Sequence, residues 1–218
     1  MKSRQEIKAI AKEAAANQRS VAIVLLLIWW GIYAASMLIS AIPFIGGLIS
    51  LAASFILMAL VVDIDCGAFV KIYRGETTTV SEPFNNVKVN FWRKVGGMWW
   101  MVLFIYLWML LLVVPGIIKS YSYFMTPYIL ANHPNVKATE ALKLSKRMMH
   151  GYKLELFVAS LSFIGWILLS SLTLGILYFV YVGPYMYSTF AGYFIQIRDK
   201  ALADGVVSQS ELDGVSAA

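Results

Sequence analysis

Two carboxylates two positions apart, Asp63 and Asp65, stand beside the chain's single cysteine, Cys66, at the end of a long apolar run. An acid at a lipid boundary is either used or paired, because a bare charge in hydrocarbon is costly. The nearest cations along the chain are Lys71 and Arg74. Pairing with them, or solvation at the cytoplasmic face, is the expected state of both acids. A metal centre would need more ligands. The only histidines, His133 and His150, have no metal-ligand spacing to a partner. Cys66 reads as a small packing residue, and one cysteine allows no intrachain disulfide.

A second set of candidates lies inside apolar stretches. Pro127 and Pro184 interrupt expected helices and would each remove a backbone hydrogen bond and kink the helix. Freed carbonyls, with hydroxyls from Tyr121, Tyr123, Tyr128, Tyr181, Tyr185 and Tyr187, could then line a polar cavity suited to transport or ligand binding. The competing reading is that the kinks shape packing and the tyrosines sit at membrane interfaces. Lys119, the lone charge within its apolar block, is expected near an outer turn, snorkelling to the interface. No catalytic pattern is present: no His-Glu-x-x-His, no Gly-x-Ser-x-Gly, no phosphate-cradling glycine loop. The chain is not expected to be an enzyme or to hold a cofactor or metal.

The elements that must position these residues follow from composition. Of 218 residues, 60% are hydrophobic and 14% charged, against about 25% charged in a soluble domain. Lipid is therefore the expected solvent. Ser20–Val62 (43 residues) and Leu156–Ile197 (42 residues) carry no charge, and Val95–Val136 (42 residues) carries only Lys119. One span takes about 20 apolar residues, so each block is two spans long. Turn residues fall near each midpoint: Ile42-Pro43-Phe44-Ile45-Gly46-Gly47, Val114-Pro115-Gly116 and Ser170-Ser171-Leu172-Thr173-Leu174-Gly175. The expected fold is an all-α membrane protein of six transmembrane helices in three in-out-in hairpins, with spans at about 20–42, 44–70, 95–114, 116–132, 154–171 and 174–198. The apolar stretch from Val21 exceeds a secretory core and is read as a retained first span.

Orientation comes from lysine and arginine. Residues 1–19, the two links between blocks and the tail hold 17 of the 18 basic residues. The positive-inside rule makes that face cytoplasmic, with both termini inside. A re-entrant 116–132 segment is the alternative. It would strand the basic 137–153 cluster outside.

Two amphipathic helices are expected on the cytoplasmic side. Residues 1–19 contain a capping box, Ser3-Arg4-Gln5-Glu6, and an apolar face of Ile7, Ile10, Ala11, Ala14 and Ala15. Residues 136–150 set Ala138, Ala141, Leu142, Leu144, Met148 and Met149 against Lys143, Lys146, Arg147 and His150. Such helices lie in the headgroup plane and attract anionic lipid. The alternative is a pair of links that only set topology. The net charge of +6 is thus assigned to the membrane and not to nucleic acid. Residues 201–218 read as a flexible tail.

Blocks two and three share a rhythm: Trp108, Gly116-Ile117, Tyr123 and Pro127-Tyr128 against Trp166, Gly175-Ile176, Tyr181 and Pro184-Tyr185. Such a repeat would be parallel. The stretch Leu107 to Asn132, with Val114-Pro115-Gly116-Ile117-Ile118-Lys119 and Thr126-Pro127-Tyr128-Ile129-Leu130-Ala131, resembles a bacterial integral membrane family catalogued as domain of unknown function 975. Glu140-Ala141, Gly151, Leu161-Ser162-Phe163-Ile164-Gly165-Trp166 and Leu172-Thr173-Leu174-Gly175-Ile176 extend the resemblance. It implies a bacterial inner-membrane protein and no activity or site residue.

Two functions are then weighed. The first is a non-catalytic module binding a protein, peptide or lipid partner, suggested by tiny outer turns, amphipathic cytoplasmic elements and no expected buried charge pair. The second is a small transporter or channel with its site near the kinked fourth and sixth helices. A dry, packed interior between those helices would remove the basis of the second. An oligomer is compatible with either.

Overall fold

The computed structural model describes residues 2–42 and 45–214, and all the regular structure in them is helical. Helix α1 (Arg4–Asn17) opens with the capping box: Ser3 accepts from the Glu6 N–H while the Glu6 carboxylate accepts from the Ser3 N–H. Helix α2 (Arg19–Ser40) follows after Gln18. Then come α3 (Ile45–Val61), a π-helical segment Val62–Ala68 and α4 (Phe69–Tyr73), which form one rod. The first link carries α5 (Glu82–Asn86). Beyond it lie α6 (Phe91–Leu111), α7 (Val113–Ser122), α8 (Thr126–Asn132) and α9 (Ala138–Met148). The chain ends in α10 (Lys153–Leu172), a π-helical Tyr178–Val182, α11 (Gly183–Ala203) and α12 (Gln209–Leu212).

Among the described residues, four helices are long and apolar enough to cross a membrane: Arg19–Ser40, Ile45–Tyr73, Phe91–Leu111 and Lys153–Leu172. They are apolar nearly all round yet bury few side chains in protein. Leu38, Leu110 and Leu172 are each more than 70% exposed. A helix of that kind needs an apolar solvent.

The segment expected as the fourth span is divided, and the one expected as the sixth carries a π-helical widening. α7 ends at Ser122, residues 123–125 turn, and α8 starts at Thr126. Ten residues of α7 rise about 15 Å, half of a hydrocarbon core of about 30 Å. Pro127 therefore does not kink a helix; it sits in the first turn of α8. A first-turn N–H has no intrahelical acceptor, so a proline there loses nothing. Pro184 lies instead within an unbroken helical run from residue 176 to 203, two residues past the π-helical segment, and the Val180 carbonyl four residues before it accepts from Arg19 Nε at 3.3 Å.

The turns also differ in detail. Pro43 and Phe44 lie outside the described residues. Between α6 and α7 the break is Leu112, in extended conformation, ahead of Val114-Pro115-Gly116. After α10 the chain reverses through Leu174 (φ 51°) and Gly175 (φ 84°). Two successive left-handed residues close the turn, and Gly175 takes its share without Cβ strain. Leu174 is 94% exposed.

The core gathers on α11, where Ser188, Thr189, Ala191, Gly192, Tyr193, Phe194 and Ile197 are buried. α1 and α4 pack along it. Ile7, Ala11, Ala14 and Ala15 form the buried face of α1, and the alanines let the two helices approach closely. The apolar face of α9 is likewise buried, through Ala141, Leu142, Leu144 and Met148. Both faces expected to enter the headgroup layer are spent on protein packing, because α11 and the α6–α8 base offer them an apolar surface closer at hand.

The tail is not free over its described part. Val207 and Leu212 are buried in the core cluster, Ser208 caps α12 with a second capping box, and Arg147 pairs with Glu211 at 2.6 Å. Residues 215–218 lie outside the described residues.

Two predictions follow from this packing. A Cβ at Gly192 would lie 2.4–2.5 Å from the Tyr73 ring. Gly192→Val should thus lower stability in detergent by about 1–3 kcal/mol, read as a fall in melting temperature, with Tyr73→Leu restoring part of it. Val207→Asp should release the 204–214 segment to limited proteolysis, while the parent chain resists cleavage there.

Candidate functional site

The π-helical turn Val62–Ala68 places two acids into protein. Residues i and i+2 do not share a helix face, so Asp63 and Asp65 meet different neighbours. Asp63 faces α6. Lys94 Nζ lies 2.8 and 2.7 Å from its Oδ1 and Oδ2, and 2.7 Å from the Asn86 carbonyl oxygen. Three N–H donors meet three acceptors, so the ammonium is fully satisfied. Both side chains are about 5% exposed. The expected partners are engaged elsewhere: Lys71 pairs with Glu82, and Arg74 reaches Glu76 at 3.6 Å. The expectation of no buried charge pair is thereby overturned. Lys94 counted in the sequence as one more topology-setting base, and no spacing ties it to Asp63 across 31 positions.

Around this pair the backbone is stitched by side chains. The Arg93 guanidinium donates to the carbonyls of Leu130 (2.5 Å), Val136 (2.7 Å) and His133 (3.3 Å). It thereby closes the C-terminal end of α8, where a cation is favoured. Asn132 donates to the Cys66 carbonyl at 3.1 Å and the Tyr128 carbonyl at 2.9 Å, joining α8 to the π-helical turn. A polar hollow of about 60 Å³ adjoins the pair, lined by Asp63, Lys71, Thr78, Glu82, Asn86 and Asn132 among others. It has room for a few water molecules. Glu82 sits at its rim; the Lys71 hydrogen bond holds its carboxyl below the usual range, with Thr78 adding to this.

Asp65 faces α11 instead. It lies beside Tyr187, whose ring stacks on Phe69 at 5.2 Å. One oxygen, Oδ1, is buried without a hydrogen-bond partner. Cys66 is buried and free.

The remaining candidates scatter. Lys119, in the last turn of α7, sits over the Trp108 ring at 4.6 Å. Tyr123 ends α7, 6.4 Å from Phe104. Tyr128 is buried and stacks on Phe194 at 5.1 Å. Tyr181 packs on Trp166 at 5.5 Å and neighbours Tyr185 at 5.9 Å; Tyr185 meets Phe163 at 5.2 Å. His133 caps α8 behind Arg93. Between α8 and α11 the tyrosines do not edge a shared opening. Phe124 on Phe190 at 5.4 Å and Phe163 on Phe190 at 5.9 Å fill that space with rings. No group of three metal-ligating side chains occurs among the described residues.

Two surface grooves border α9. One, of about 390 Å³, runs between α6 and α9, with Trp100, Phe104 and Tyr123 among its walls and Lys143 and Lys146 on its edge. The same two lysines border a second hollow of about 600 Å³ toward His150 and Tyr152. Neither was visible in the sequence, because helix α9 meets α6 only in the folded chain.

Residues 95–201 match the model of a family described as Protein of unknown function (DUF975). Searches of the curated proteins and of the solved structures each gave no match. The matched stretch begins one residue after Lys94 and ends two residues before the end of α11.

Breaking the pair on one side should be costly. Lys94→Met leaves a buried carboxylate alone and should destabilise by about 3–5 kcal/mol, whereas Asp63→Leu with Lys94→Met should recover most of that loss. Denaturant titration of the four proteins in detergent reads the cycle. A pH effect follows from His133, which burial, helped by Arg198, holds below the ordinary imidazole range, against opposing pulls from Asp213 and Leu212. Below about pH 6.5 the unfolded chain takes a proton that the folded chain resists. Stability should therefore fall as pH drops through that range, and His133→Gln should flatten the dependence.

Proposed function

We propose that this chain, a DUF975 protein across residues 95–201, is a non-catalytic multi-pass module of the bacterial cytoplasmic membrane. It binds a lipid or protein partner on its cytoplasmic side and carries no solute. One observation favours binding over transport. The space between α8 and α11, where kinked helices would have opened a passage, is occupied by the Phe124, Phe190, Phe163, Tyr128 and Phe194 rings.

Six crossings remain the preferred topology. Four helices have the length and apolarity to cross. The other two crossings pair each of the last two blocks with its irregular return limb. Irregular backbone at membrane depth is tolerated where protein surrounds it, and α8 and α11 expose few side chains. An even number of crossings per block keeps the basic links together on one side. With both termini on that side, α1, α9 and α12 form a cytoplasmic base under three in-out-in hairpins.

Single-cysteine labelling tests the reading, with buried Cys66 left in place. Ser188→Cys and Thr126→Cys, both at fully buried positions, should resist small water-soluble thiol reagents. Thr139→Cys and Ser210→Cys should label in inverted vesicles and stay unlabelled in intact cells. Rapid reaction at 126 and 188 would restore the transporter; labelling at 139 from outside would reverse the topology.

A further inference from the structure

We propose that the groove between α6 and α9 is a binding site for an anionic glycerophospholipid, its phosphate held by Lys143 and Lys146 and its acyl chains along Trp100, Phe104 and Tyr123. The inference rests on the membrane reading above and names the partner of that module.

Several features meet there. α9 cannot turn to hide its basic side. Ser145, at its buried face, donates to the Ser122 carbonyl at 3.0 Å and accepts from the Met125 N–H at 3.1 Å. Those bonds pin α9 to the turn between α7 and α8 and fix which way its opposite face looks. Lys143 and Lys146 are exposed on that face. Among the described residues neither forms an ion pair, whereas neighbouring Arg147 is spent on Glu211. Lys119 lies close enough to feel the charges of Lys146 and Lys153, so same-sign charge accumulates around the groove, and Asp204, the acid that lines the second hollow, is paired with Lys200. An anion is the complement.

The walls exclude a purely soluble anion. They are aromatic and aliphatic, with Trp100, Phe104, Tyr123 and Leu142 contributing. Trp100 and Phe104, which line the groove, are themselves exposed. Tryptophan and tyrosine beside lysine mark the headgroup level of a bilayer. A ligand fitting both parts carries one negative group and long apolar chains. The groove's 390 Å³ falls within the range of about 300–1,000 Å³ seen for small-molecule sites. The second hollow beyond the lysines gives a headgroup room to extend.

Native mass spectrometry of the full chain, released from detergent with equal amounts of phosphatidylglycerol and phosphatidylcholine, tests the proposal. The parent chain should retain the anionic lipid preferentially. Losing one lysine near an anionic headgroup should weaken that preference about fivefold, and losing both about 30-fold. Lys143→Gln with Lys146→Gln should thus abolish it, Lys143→Arg with Lys146→Arg should keep it, and Lys137→Gln, outside the groove, should leave it unchanged. Trp100→Ala with Phe104→Ala should reduce retention of both lipids. Equal retention of the two lipids by the parent chain, or a preference that survives the double glutamine variant, overturns the site. Displacement of the lipid by inorganic phosphate at similar concentration also overturns it, since the ligand would then be a free anion. So does displacement by a copurifying peptide. The labelling at 139 separates the failures: cytoplasmic labelling without lipid preference sinks this site alone.

Discussion

A buried ammonium with every proton accepted fixes how the first half of the chain meets the second. Lys94 draws two acceptors from Asp63 and the third from the Asn86 carbonyl. It thereby sets the register of the long Ile45–Tyr73 rod against α6 and pulls α5 beneath both. An ion pair taken out of water contributes little net stability, since desolvation offsets attraction. What it supplies is intolerance of any other register, because each alternative leaves a charge buried alone. The adjacent Arg93 acts on a different element by a different chemistry. Its planar fork reaches three carbonyls at the end of α8, which a point-charge ammonium could not span. Two consecutive bases at the head of α6 thus organise the rod on one side and the return limb on the other.

From that anchor the molecule divides its helices by solvent. α2, most of α3, α6 and α10 present leucine, isoleucine and tryptophan outward, and their backbone groups are satisfied within each helix. α8 and α11 pack inside protein instead. The breaks occur in these inner limbs: the turn at 123–125 and the π-helical Tyr178–Val182. A Pro-Tyr pair follows each, opening α8 after the turn and separated from the π-helical segment only by Gly183. The tyrosines pack on aromatic rings of neighbouring helices, so side chains fill the widened backbone.

The base formed by α1 and α9 follows the same logic. α1 and α9 are amphipathic, but amphipathicity specifies only that one side must be covered, not by what. Here α11 and the α6–α8 base cover them, and the docked 206–214 segment adds Val207 and Leu212 to the same core. What stays exposed is the basic side of α9, held in a fixed orientation beside the aromatic flank of α6. That juxtaposition of a charged ridge with an apolar wall gives the surface its character.

The helical class, the apolar blocks, the capping box at Ser3 and the family resemblance across 107–185 were all legible in the chain. Each depends on local pattern: uninterrupted apolarity, a Ser-x-x-Glu spacing, or a run of motif residues. The partner of Asp63 was not legible, since sequence proximity pointed to Lys71 and Arg74 while the fold supplied Lys94 from 31 positions away. Nor was the role of Pro127. A proline reads as a kink unless the helix is known to begin there, and that start was set by tertiary packing. The tail's composition suggested mobility, yet two apolar side chains found a core that only folding creates. Local chemistry determined which segments must leave water. Long-range packing decided which of them meet lipid, which meet one another, and where the charges come to rest.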